Sequence, residues 1–71
     1  MGFLDWLLGF DPDVAAKGAQ EYQRQRGPGY NRSHADAEAL ARARAAELQA
    51  LKDAGEIKEI HRNRVVWKWP R

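Results

Sequence analysis

Large apolar side chains crowd the two ends of this 71-residue chain and thin out between them. Phe3, Trp6, Leu7 and Phe10 follow the i, i+3, i+4, i+7 spacing of an amphipathic helix, with Leu4 and Leu8 widening the stripe. This predicts a helix over 1–10, apolar on nearly all sides and therefore in need of cover. Asp11 in the N-cap position and Pro12 in the first turn start a second helix, from about Pro12 to Arg26, whose apolar side is only Val14, Ala15, Gly18, Ala19 and Tyr22. Gly18 inside it costs about 1 kcal/mol against alanine unless another group packs closely there.

Gly27-Pro28-Gly29 breaks the pattern and opens a linker over 27–32. Ser33 with Asp36 forms a capping-box start. A long Ala-rich helix follows over about 34–54, with Gly55 as its stop. Its stripe is narrow and small: Ala37, Leu40, Ala41, Ala45, Leu48 and Leu51. Beyond Gly55 the period changes from helical to alternating. Residues 56–61 and 64–69 read as a β-hairpin (about 56–69) around Arg62-Asn63. That turn sets Ile60 opposite Val65, Lys58 opposite Trp67 and Glu56 opposite Trp69, with Ile57 on the face away from Val65, Trp67 and Trp69. The fold class expected is α+β: short N-terminal helices, one long helix and a C-terminal hairpin, as one small domain over 1–71.

Composition narrows the core. Of 31 hydrophobic residues, 12 are alanines, which bury little area, and 13 of the remaining 19 lie in 1–10 or 57–69. Burial contributes about 25 cal/mol per Å², so the ends supply most of the driving force. They pack either on each other across the middle helices or on a partner.

Charge is uneven as well. Residues 56–71 carry +3 of the net +2, the rest of the chain being close to neutral. Without cysteine, disulfides and thiolate metal sites are excluded. No apolar run reaches the ~18 residues of a membrane span, and the first ten residues lack the basic segment of a signal peptide. A cytoplasmic setting, or assembly into a virion, is expected, and no cofactor. Catalysis has little to work with. The lone serine, Ser33, is explained by helix capping, and His34 and His61 sit in no recognised catalytic or metal-ligand spacing.

Two features bear on function. Phe3, Trp6, Leu7 and Phe10 have the spacing of helix-in-groove anchors. Trp67 and Trp69 alternate with Lys58, Arg62, Arg64 and Lys68, mixing residue types enriched in protein hot spots with cations able to meet phosphates. Leu48-x-x-Leu51-Lys-Asp-Ala-Gly55-Glu-Ile57 followed by Arg64-Val-Val-Trp-Lys-Trp69 resembles the last helix and wing of a winged-helix domain. The resemblance implies that the helix enters a major groove and that Arg62 and Arg64 touch the DNA backbone. The long helix and the extended 27–32 connection depart from that family. The Leu-x-x-Leu-Lys-Asp-Ala-Gly stretch is also similar to a short bacterial oligomerisation motif, which makes self-association a further expectation. The function expected first is a non-enzymatic accessory or structural subunit. It would dock on a larger protein assembly through Phe3, Trp6, Leu7, Phe10, Trp67 and Trp69. Short Ala/Arg-rich chains of this kind are common among phage and mobile-element proteins, so a minor virion component is the sharper expectation. A DNA-binding regulator stands second, and a small inhibitor filling a partner's groove third.

Overall fold

The computed structural model describes residues 5–69. A 3₁₀ turn, Asp5–Gly9, leads into helix α1, Pro12–Arg26; helix α2 spans His34–Asp53, and strands β1, Ile57–Ile60, and β2, Val65–Trp67, form an antiparallel pair. The α+β class is as expected. Over its described part the first helix is 3₁₀ rather than α, closed by the Phe10 amide donating to the Leu7 carbonyl at 3.1 Å. Gly9 and the Pro12 start of α1 end the run on its C-terminal side. Phe3 and the beginning of the expected docking helix lie outside the described residues.

α1 and α2 pack antiparallel. Asp13 at the start of α1 meets Lys52 at the end of α2, while Tyr22 near the end of α1 meets His34 at the start of α2. The buried positions repeat with the same helical spacing on both: Val14, Gly18, Tyr22 and Gln25 face Ala37, Ala41, Ala45 and Leu48. Three alanines and a glycine let the helices approach closely, and that approach is what makes Gly18 useful. A Cβ there would stand 2.9 Å from Leu7 Cδ2, 3.3 Å from Ala45 Cβ and 3.5 Å from Trp6 Cη2. The absent side chain is the slot into which the 3₁₀ turn packs.

The connection between the helices is ordered by its own bonds. Gln25, buried, donates to Glu21 and accepts from Arg32 Nε at 2.8 Å, and the Arg32 amide returns to the Gln25 carbonyl at 2.9 Å. Gly29 and Asn31 take positive φ, 90° and 49°. Ser33 caps α2 by accepting from the Asp36 amide, as its position predicts. At the other end the Gly55 amide bonds the Lys52 carbonyl and the Glu56 amide the Leu51 carbonyl, both at 3.0 Å. This is the Schellman pattern, with Gly55 at φ 78° just past the cap. It turns the chain into β1.

The hairpin keeps the expected turn but not the whole expected register. Ile60 faces Val65, and the His61 amide donates to the Arg64 carbonyl at 2.8 Å across Arg62-Asn63. An irregularity between Ile57 and Glu59 then shifts the pairing, so Ile57, not Lys58, lies opposite Trp67, and the Lys68 amide reaches the Glu56 carbonyl. Lys58 is the extra residue of a β-bulge, which resets the alternation. Strict alternation would have left Ile57 in solvent; the bulge buries it beside Val14, Ala45 and Leu48. Burying an isoleucine gains about 1.5–3 kcal/mol, against about 0.5–1.5 kcal/mol for a lost ladder bond. The bulge wins.

Trp6, Phe10, Leu51, Ile60, Val65 and Trp67 complete this main cluster, and a smaller one joins Tyr22, Ala37 and Ala41, again with Trp6 against it. Described parts of both apolar ends thus pack against one buried cluster at the helical pair. Leu48 and Val14 are the largest fully buried side chains. A domain of this size holds only about 3–5 kcal/mol in total, and Leu→Ala in a core costs about 2–5 kcal/mol. Leu48→Ala is therefore expected to unfold most of the population in a thermal melt followed by circular dichroism. Leu40→Ala, on the open side of α2, is expected to stay within about 0.5 kcal/mol of the parent. Gly18→Val, which overfills the slot by more than its small gain in helix propensity returns, is expected to cost about 1–3 kcal/mol.

Candidate docking surface

The residues singled out by sequence divide between the core and the surface. Trp6 is the most used. Its ring meets Phe10 edge-on at 6.1 Å between centroids, Arg42 lies 5.5 Å over its face, and both core clusters touch it. Its Nε1 is buried and, among the described residues, has no hydrogen-bond acceptor. Leu7 and Phe10 are half-buried beside it. Trp67 is half-buried against Ile57, its cross-strand neighbour.

Trp69, expected on the same face as Trp67, is not in the core. The ladder ends at Trp67, the chain bends, and Trp69 is 60% exposed with the Lys68 ammonium 5.6 Å from its ring. Leu8, one residue beyond Leu7, is 87% exposed. Sequence periodicity missed it because it treats 1–10 as one α-helix, whereas the tighter 3₁₀ turn moves Leu8 off the packed side. Among the described residues, each apolar end therefore tucks some large side chains inward and holds one outward.

The four cations of the hairpin take different places along it: Lys58 sits on the bulge, Lys68 beside Trp69, Arg62 in the turn and Arg64 just after it. Arg62 alone is drawn toward the helices: its carbonyl accepts from Lys17 Nζ at 2.8 Å, pinning the hairpin tip to α1. Two adjoining grooves result. One, about 430 Å³, runs between α1 and the tip along Ala16, Ala19 and Ile60; the other, about 380 Å³, is edged by Lys17, Arg24, Arg44 and Arg62 around Glu21. Nothing in the linear pattern announced the second, since its cations come from three elements.

The start of α1, at the edge of the apolar groove, carries a polar clamp. Asp11 stands in the N-cap position of α1 but does not cap it; its carboxylate instead accepts from Gln49 Nε2 and lies 3.1 Å from Lys52 Nζ. Lys52 also donates to both oxygens of Asp13, at 2.8 and 2.9 Å. The hydrogen bond from Gln49, and then Lys52, hold the Asp11 carboxyl below its ordinary value. The bonds to Asp13 and Asp11 hold the lysine above its own.

The remaining polar chemistry is spoken for locally. Tyr22 Oη lies 2.9 Å from His34 Nδ1, and His61 Nε2 lies 3.2 Å from Glu59. No group of three or more metal-ligating side chains occurs among the described residues. No helix among them is long and apolar enough to cross a membrane.

Comparison with known proteins gives no relative. No family model, no curated protein and no solved structure matches this chain. The reading of the surface therefore stands on its geometry.

The clamp makes a pH prediction. A depressed carboxylate stabilises above its ordinary value of 3.8 and loses that contribution as pH falls below it, through the lower folded value. A raised lysine stabilises below 10.5 and loses its contribution as pH climbs through the higher folded value. Lys52 has a part in both shifts, after Gln49 at Asp11 and through Asp13 and Asp11 at its own ammonium. Lys52→Met is expected to shrink the loss of melting temperature at both extremes, measured as Tm against pH.

Proposed function

We propose that this chain is a small accessory subunit that docks on a larger protein assembly through the apolar side chains its own fold leaves outside. The observation that carries this reading is the exposure of Leu8 and Trp69 at the two ends. Scattered surface apolar residues are ordinary, but this chain has few large ones to spend. Its core is filled out by alanine while a tryptophan and a leucine face water. Tryptophan is the residue type most enriched in interface hot spots. Trp6, Phe10 and Trp67, expected as direct anchors, contribute by holding the outward pair in place.

The geometry favours this over the other two readings. α1 and α2 lie antiparallel and meet at both ends, unlike the open corner of a helix-turn-helix. The hairpin cations are dispersed rather than arranged along a track for phosphates. An inhibitor that inserts the N-terminal helix into a groove would have to pull Trp6 and Phe10 out of the core. Size and Ala/Arg-rich composition suggest a phage particle as the assembly, with the chain as a minor virion component.

A photo-crosslinking residue placed at position 8 or 69, in the cells that make the protein, tests the proposal. Adducts from both positions to one larger protein are expected, with none from position 35 on the outer face of α2. Recovery of the chain unlinked from both positions would overturn the reading.

A further inference from the structure

We propose that the paired grooves between α1 and the hairpin tip bind an acidic, leucine-rich type of segment from a partner protein, with an aliphatic side chain against Ala16, Ala19 and Ile60 and carboxylates among Lys17, Arg24, Arg44 and Arg62. This rests on the accessory-subunit reading and names the chemistry of the partner. The two grooves share Lys17, Gln20 and Arg62, so an apolar floor continues directly into a basic rim. The rim holds four cations against Glu21, the one carboxylate among its lining residues.

The neutralisation of that rim is incomplete. Glu21 is taken by Arg24 at 2.8 Å and by Gln25, and Arg44 pairs outward with Glu47 at 2.7 Å. The bond found for the Lys17 ammonium among the described residues is to a carbonyl, not a carboxylate. Asp13, which edges the apolar groove, is already engaged by Lys52. Partial burial, and then the charge of Arg44, hold Lys17 below the usual lysine range. A carboxylate placed between Lys17 and Arg44 would relieve the repulsion and offset the burial, since charge-assisted bonds to cations are the stronger class. The cations surround one concavity continuous with an apolar floor, which suits side-chain carboxylates on an aliphatic segment better than a phosphodiester backbone, whose binding follows a run of separate phosphate contacts.

The test is a two-dimensional amide titration of the intact chain with three probes: a short blocked peptide of alternating leucine and glutamate, its leucine–glutamine counterpart, and oligothymidylate. The acidic peptide is expected to move the amides of Lys17, Gln20 and Arg62 saturably and to raise the Lys17 pKa. The glutamine peptide is expected to bind about tenfold more weakly. Arg24→Gln, at an exposed position, and Arg44→Gln, at a half-buried one outside the core clusters, are each expected to weaken the acidic peptide severalfold, and Ala16→Glu to abolish its binding. Absence of binding, equal binding of the glutamine peptide, or tighter binding of oligothymidylate would each overturn the proposal. A failed titration alongside adducts from positions 8 and 69 would remove the groove and leave the accessory reading. A successful titration without those adducts would support the groove and remove the end-docking surface.

Discussion

The close approach of α1 to α2, where Gly18 faces Ala45, is the constraint on which the other contacts depend. A side chain at position 18 would crowd Leu7 and press on Ala45, because Leu7 and Trp6 occupy that space. The same close approach keeps Gln49 and Lys52 within reach of Asp11 and Asp13. The glycine costs helix propensity, about 1 kcal/mol. It is offset by Trp6, which lies against both core clusters at once. A core built from alanine has little area of its own. It stabilises chiefly by allowing two helices to come near enough for one tryptophan to bridge them.

How much of this was legible in the sequence follows from which signals are local. Helix α1 and helix α2 were readable because proline, serine and glycine punctuate them and because alanine, leucine and arginine favour the interior. The hairpin turn at Arg62-Asn63 was readable from the change of period. The bulge at Lys58 was not, because it is decided by Ile57 finding Val14, Ala45 and Leu48, residues 9 to 43 positions away in the chain. The role of Asp11 was misjudged for a similar reason. Capping is the local use of an aspartate before a helix, and the long-range bond to Gln49 displaced it.

The candidate surface was legible only in outline. Periodicity correctly marked the two ends as the places where large apolar residues had to be dealt with. It could not sort them into inward and outward sets, since that depends on a 3₁₀ rather than an α turn at 5–9 and on where β2 stops. The basic rim was invisible to any windowed reading: Lys17 and Arg24 lie two turns apart on α1, Arg44 comes from α2, and Arg62 from the hairpin. Folding brings them together because Lys17 pins the tip of the hairpin.

That pin links stability to recognition. The Lys17 ammonium spends a hydrogen bond on the Arg62 carbonyl and gains no charge neutralisation from it. In a chain with so small a core, a bond from α1 to the tip of a two-stranded hairpin matters, because an isolated hairpin is marginal in water. Yet the same bond holds one cation beside another, Arg44, at a cost that burial increases. An anion entering the rim would reduce that cost without breaking the bond, so binding there would also tighten the hairpin against α1. The surface that holds the fold together on this side is thus one that carries more cations than carboxylates. The clamp at Asp11, Asp13 and Lys52 is its counterpart of opposite sign: there two carboxylates gather on one ammonium within the chain.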